Sequence, residues 1–327
     1  MVFGSSILGF RFPERSLRQI ANQKSKTVCA LSLISVFLLL LTSCGSKSEK
    51  HYGKGEIYLN RGKYDEAIAE FQKALKADPD FVKAQYAIGQ AYFSQGKFDE
   101  ALAEYRKAIE LSPDFTDARI GLALTYLRKG DPDKAVSECL EAINIAPQNA
   151  KVRNALGGIY ISRREFEKAA AEFEKAIEID PSFIPAHLNL GDHYARTQEL
   201  DKAQEHYKAV MEIDPKHVGA HWKLANTYGA QGNMDRVEQE YKAILEIDPK
   251  HTEAHLALGG LYIRQEKLKQ AVTEFEVASE NAPNFLPAYV SLGELYNKIG
   301  EYDMRDMSFS GKMLVFSEPR EGVFCLC

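Results

Sequence analysis

The chain has 327 residues, 45% of them hydrophobic and 27% charged, with a formal net charge of -5. That composition belongs to a folded protein with ordinary cores, and the mildly acidic balance argues against a general nucleic-acid or anionic-membrane binder. The five cysteines form no C-x-x-C pair, so neither a zinc site nor a dithiol redox motif is supported.

In chain order, the first element is a leader. Residues 1–27 carry Arg11, Arg15, Arg18, Lys24 and Lys26 against one acid, Glu14. Val28 to Leu41 is then an apolar run, too short to span a bilayer comfortably, since a transmembrane helix needs roughly 20 residues. A basic start, an apolar core of this length and small residues after it describe an export signal. Leu41-Thr42-Ser43-Cys44 resembles the bacterial lipobox. The resemblance implies cleavage before Cys44 and acylation of its thiol, so that 1–43 is a signal peptide and 44–47 a lipidated tether. An uncleaved anchor, or a plain signal peptide with an incidental cysteine, is the alternative. In lipoproteins of enteric-type bacteria an aspartate after the cysteine often retains the protein at the inner membrane. Gly45 stands there instead, which implies the periplasmic face of the outer membrane.

The body is one unit copied eight times. Pro79, Pro113, Pro147, Pro181, Pro215, Pro249 and Pro283 recur every 34 residues. So do Tyr58, Tyr92, Tyr126, Tyr160, Tyr194, Tyr228, Tyr262 and Tyr296. Within copy two, Ala84, Ile88 and Tyr92 share one helical face; after a break at Gly96, Ala101, Tyr105, Ala108 and Ile109 share another. Glycine permits the turn, and Asp99 and Glu100 suit the next helix N-terminus. Each copy therefore reads as an antiparallel helix pair that must stack on its neighbours to bury its apolar face.

These positions resemble the tetratricopeptide repeat: copy four supplies Leu156, Gly157, Tyr160, Ala169, Phe173, Ala176 and Pro181. Copies fall at 48–81, 82–115, 116–149, 150–183, 184–217, 218–251, 252–285 and, in part, 286–300. The resemblance implies an all-α, right-handed superhelical solenoid whose first helices line a concave groove. It implies protein binding and not catalysis. Residues 301–327 lose the period, with Arg305 where alanine belongs; they either cover the open end or reflect a damaged coding sequence.

No H-E-x-x-H, G-x-S-x-G, P-loop or full dinucleotide fingerprint occurs, so no enzyme activity is expected. His187, His221 and His255 stand 34 apart, and His217 and His251 precede the latter two by four residues, a spacing able to chelate a metal on a helix. Equivalent positions on stacked helices lie roughly 10 Å apart, too far for one ion to bridge, and the repeat copying itself explains the pattern. No metal or cofactor is expected. Cys139 takes the aromatic position of copy three and reads as a small buried hydrophobe.

The second stripe of each first helix, one residue's rotation from the packed one, supplies the candidate groove. It comprises Tyr52, Tyr86, Gln90, Phe93, Leu124, Leu127 and Asn154 toward the N-terminus, and Asn189, Asp192, Arg196, Trp222, Lys223 and Asn226 further on. The first set is mostly apolar and the second polar. An exposed apolar strip marks a partner site, unless these residues pack between adjacent copies. Some family members clamp a peptide's terminal carboxylate with groove lysine and asparagine; Asn154, Asn189, Lys223 and Asn226 match that pattern only loosely. The whole reads as a lipid-anchored scaffold binding an extended segment or helix of a protein partner, with no nucleic-acid or small-molecule ligand. Lipoproteins of this layout resemble pilus-assembly pilotins and envelope adaptors. A substrate-presenting subunit of an envelope enzyme complex, or a histidine-based metal binder, is the alternative.

Overall fold

The computed structural model describes residues 47–299, so the leader, Cys44 and the tail at 301–327 lie outside the described residues. All regular structure among the described residues is helical. Packing divides the chain into two units, meeting at Ile179 and Asp180.

The first unit holds four helix pairs. Helix α1 (47–60) packs with α2 (Tyr64–Ala77), α3 (Val82–Ser94) with α4 (Phe98–Leu111), α5 (Thr116–Arg128) with α6 (Pro132–Ile145), and α7 (Ala150–Ser162) with α8 (Phe166–Ile179). The second unit continues the pattern with α9 (Ile184–Arg196) against α10 (Leu200–Ile213), α11 (Val218–Ala230) against α12 (Met234–Ile247), and α13 (Thr252–Arg264) against α14 (Leu268–Asn281); α15 (Leu286–Ile299) follows. Within each unit every second helix also packs on the first helix of the next pair.

Local chemistry sets the turns. After α3 the amide of Gly96 donates to the Phe93 carbonyl at 3.0 Å and that of Lys97 to Tyr92 at 2.9 Å, a Schellman closure with Gly96 at φ +75°. Gly62, Gly130 and Gly232 repeat that left-handed conformation. Arg164, Gln198 and Glu266 occupy the same register at φ 62°, 64° and 60°, where a Cβ is disfavoured.

The core is built on a second register. An alanine with no exposed surface opens the packed face of most second helices, at Ala67, Ala101, Ala135, Ala169, Ala203 and Ala271. Aromatic rings lie directly on first-helix glycines: Phe71 on Gly55, Tyr105 on Gly89 and Gly121, Phe173 on Gly157, Tyr207 on Gly191 and Phe275 on Gly259. The pair of helices can approach this closely only because no Cβ intervenes. Copy three exchanges both partners, with Ala123 for the glycine and Cys139 for the ring, and both are fully buried in one cluster.

A polar clamp then ties each pair. A residue on the first helix meets one on the second, 19 positions on: His51 with Glu70 (2.7 Å), Gln85 with Glu104, Arg119 with Glu138 (3.3 Å) and Arg153 with Glu172 (2.9 Å) in the first unit. In the second unit the pairs are His187 with His206 (3.2 Å), His221 with Glu240 (2.7 Å) and His255 with Glu274 (2.6 Å). The other ring nitrogen of His187, His221 and His255 reaches the carbonyl of Pro181, Pro215 and Pro249 at 3.0, 3.3 and 3.1 Å. These buried polar side chains thus have partners on both sides, as burial demands.

Candidate partner-binding surface

The aromatic part of the predicted stripe in the first unit is engaged in packing. Tyr52 lies 5.5 Å from the Phe71 ring and 5.2 Å from Phe81; Tyr86 lies 5.5 Å from Tyr105 and 5.4 Å from Phe115. Phe93 meets Phe98 at 5.7 Å. All three side chains are half-buried, and each ring touches the second helix of its own pair or the turn that follows it. Burial first, and then the nearby Asp117 carboxylate, push the Tyr86 phenol up to about 12. Gln90 donates to the Tyr86 hydroxyl at 3.1 Å. Leu127 is half-buried in the copy-three cluster and Asn154 is half-buried on α7. Leu124 is the exception, an exposed apolar side chain on α5. The aromatic members are therefore packed against rings of their own copies and do not form a free strip. The physical reason is that an aromatic side chain follows within reach of each: Phe81 and Phe115 on the turns after α2 and α4, and Phe98 at the start of α4.

The polar members in the second unit come together differently. Val218, Gly219, Trp222, Lys223 and Asn226 on α11, with His251 and Glu253 at the start of α13, line a concavity of about 470 Å³. The α11 positions share one helical face, being one and two turns apart. Trp222 contacts two rings, Tyr241 at 5.3 Å, tilted, and His251 at 6.1 Å, stacked at 27°. The Lys223 ammonium donates to both oxygens of Asp192 on α9, at 2.7 and 2.8 Å. Asp192 also accepts from the buried Tyr207 hydroxyl at 2.7 Å. Burial first, then that hydrogen bond, drives the Tyr207 phenol well above its ordinary range. Asn189 and Arg196 lie on α9 three residues before and four after Asp192, outside the lining of this concavity.

His251 is not a metal-ligating partner of His255. Its Nδ1 accepts the Ala254 amide at 3.2 Å and so caps α13, just as His217 accepts the Ala220 amide at 3.0 Å to cap α11. His221 and His255 turn instead to Glu240 and Glu274. Among the described residues no group of three or more potential ligands gathers. The i, i+4 histidine spacing arises because one residue caps the helix and the other clamps it. Cys139 is fully buried, and burial pushes its thiol up to about 12. Four lining residues escape the sequence-based stripe: Val218 and Gly219 at the start of α11, and, from the next copy, His251 and Glu253. The latter two enter at the N-terminus of α13, and a stripe drawn along α11 alone cannot include them.

Consecutive helix pairs of this length, with rings packed on first-helix glycines, define a repeat scaffold for protein–protein interaction. Two family models described as tetratricopeptide repeat match the chain, one at residues 52–114, 86–150 and 121–183, the other at 160–226, 198–245 and 230–296. The chain belongs to the tetratricopeptide repeat family. Among solved structures it is similar to pilF of Pseudomonas aeruginosa, at 20% identity and TM-score 0.52 over 65% of this chain and 97% of that one. It is also similar to a chain of the APC/C hetero-tetramer Cut9–Hcn1, at 16% identity and TM-score 0.50 over 74% and 54%. A repeat protein from Parabacteroides merdae gives 17% identity and TM-score 0.49 over 77% and 100%. At these identities the likeness is one of fold. No curated protein matches the chain.

Proposed function

We propose that the protein is a lipid-anchored adaptor that holds a segment of a partner protein on its repeat surface, as part of a bacterial envelope assembly. The observation that carries the binding half is the Trp222 concavity: a large aromatic side chain, half-buried, lining a hollow whose other walls are mostly polar. Aromatic residues in such pockets are typical anchors for partners. The anchoring half rests on the sequence alone, on the apolar run ending at Leu41-Thr42-Ser43-Cys44. Two acyl chains or more at Cys44 would give stable membrane attachment, each buried methylene adding about 0.8 kcal/mol. A pilotin-like role in pilus or secretion assembly fits the leader and the repeat layout together; the resemblance to pilF in fold is compatible with it and no more.

The two halves are tested separately. A photo-crosslinking amino acid placed at residue 222 in living cells should trap one predominant protein, and the same group at exposed Glu174 should not. Equal, diffuse labelling from both positions overturns the binding surface. Labelled palmitate should enter the wild-type chain and not the Cys44→Ser chain. Absence of label in both, with the protein still exported, removes the lipid anchor and leaves the scaffold.

A further inference from the structure

The concavity on α11 and α13 has a definite chemistry. Its one ammonium, Lys223, is held by both oxygens of Asp192, and that carboxylate is further satisfied by the Tyr207 hydroxyl. Lys223 is therefore committed within the protein. His251 uses Nδ1 as an acceptor for the Ala254 amide, so in that bond the ring carries no proton at Nδ1. The 3.5 Å approach of Glu253 to the same nitrogen is then no ion pair. Among the described residues Glu253 has no lysine or arginine partner, and its side chain is 63% exposed. Lys216 and Lys250 stand on the turns before α11 and α13, outside the lining. Each sits beside an aspartate, Asp214 or Asp248, whose side chain accepts that lysine's own amide at 3.1 or 3.0 Å, so neither turn brings net charge. What remains is one carboxylate without a lysine or arginine partner, lining the same concavity of about 470 Å³ as the Trp222 indole.

Resting on the partner-binding reading above, we infer that this concavity takes an arginine side chain from the partner segment. Its guanidinium lies against Trp222 and pairs with Glu253. A planar cation suits both walls: the ring face attracts it, and a carboxylate receives two parallel N–H donors. A terminal carboxylate is disfavoured at the same place, because Lys223 already serves Asp192 and Glu253 repels a second anion. Val218 and Gly219 leave room for the aliphatic stem, which packs on apolar surface while the head group stays polar.

Trp222 is the only tryptophan in the chain, so intrinsic emission reports on this site directly. The full chain, in mild detergent, is titrated with end-blocked pentapeptides that differ only at the centre: arginine, citrulline or glutamate. The arginine peptide is expected to perturb the emission with a dissociation constant about tenfold below that of the citrulline peptide, which keeps the shape and loses the charge. Glu253→Gln, at an exposed position that leaves the fold intact, should bring the arginine peptide to the citrulline level. Equal constants for arginine and citrulline, a preference for glutamate, or no effect of Glu253→Gln overturns the assignment. A crosslink at residue 222 without arginine preference would keep the partner site and reject this chemistry. Arginine preference with no crosslinked partner would do the reverse.

Discussion

Gly157 and Gly158 are neighbours on α7, and the structure assigns them opposite responses to the same added methyl group. A Cβ at Gly157 would lie 2.5 Å from Cε1 of Phe173, with two more ring carbons at 2.8 and 2.9 Å. Phe173 is only 1% exposed and lies in the packed face of α8, so the ring has nowhere to retreat. At Gly158 nothing lies within 4 Å of the same Cβ. Both positions are inside a helix, where alanine gains about 0.8–1.0 kcal/mol over glycine. Gly158→Ala should therefore stabilise by roughly that amount. Gly157→Ala gains the same propensity and meets an overpacking cost of about 1–3 kcal/mol, so it should be neutral to destabilising. The difference between the two variants, roughly 1–3 kcal/mol, is the measured quantity. It cancels the unfolded-state term, which the two glycines share. Urea unfolding followed by far-ultraviolet circular dichroism is suitable, with midpoints compared because a repeat array need not unfold in two states. Phe173→Leu in the Gly157→Ala background should recover part of the loss. Equal stabilisation by both alanines would refute close packing of ring on glycine. Gly259 and Gly260 on α13 form the same pair, with Phe275 as the ring, and serve as an independent repeat of the experiment in the second unit.

Further outcomes are expected. Replacing Arg164, Gln198 or Glu266 by glycine removes a left-handed Cβ conformation costing about 1–2 kcal/mol, less the roughly 0.5–1 kcal/mol of chain entropy that glycine adds to the unfolded state. Each variant should raise the thermal midpoint slightly, and Gly96→Ala should lower it. His206 is depressed below its ordinary value by burial and by the facing His187, so the unfolded chain binds its proton first as pH falls. The stability that neutral His206 contributes is complete above its unfolded pKa of about 6.5 and is lost as pH drops through and below that value. His206→Gln should accordingly lose less stability than wild type between pH 7 and 5, and parallel curves would contradict the shift. Cys139 is buried and its thiol is pushed up to about 12, so at pH 8 this cysteine, followed by peptide mass spectrometry, should resist thiol reagents in the native protein and react at the rate of unfolding.

The helix pairs were legible because a 34-residue period repeats the same small, aromatic and proline positions, and each has one structural use. The glycine row marks where rings sit, the proline row the turns between pairs. Side-chain function was less legible. Tyr52, Tyr86 and Phe93 look like an open stripe on a helical wheel, but a wheel does not show Phe81, Phe115 and Phe98, the rings that pack against them. Lys223 and Asn226 resemble clamp residues by type, yet Lys223 finds Asp192 at a separation of 31, diagonal to the repeat, where a register comparison does not look. The polar clamp at a separation of 19 was readable in principle. Six of its seven pairs place a glutamate opposite His51, Gln85, Arg119, Arg153, His221 or His255, and only His206 departs.

Departures from the period are also what shape the surface at Trp222. Where glycine lies beneath the ring, the ring sinks: Phe173 is 1%, Tyr207 2% and Phe275 2% exposed. Copy six has Ala225 in the glycine register, and its aromatic, Tyr241, is 9% exposed, the highest of the row. A methyl group under the ring leaves it standing higher, and from there it meets Trp222 at 5.3 Å. Trp222 is in turn backed by His251, which is fixed by its cap on α13. The same copy lacks the expected alanine on its second helix, where Val237 stands instead. The concavity is thus a local loosening of a packing rule kept elsewhere in the second unit, at the one copy that carries the tryptophan. A stack of identical copies would bury its aromatic rings to serve stability. A half-buried indole that shares a concavity with Glu253 is what the proposed partner contact would use.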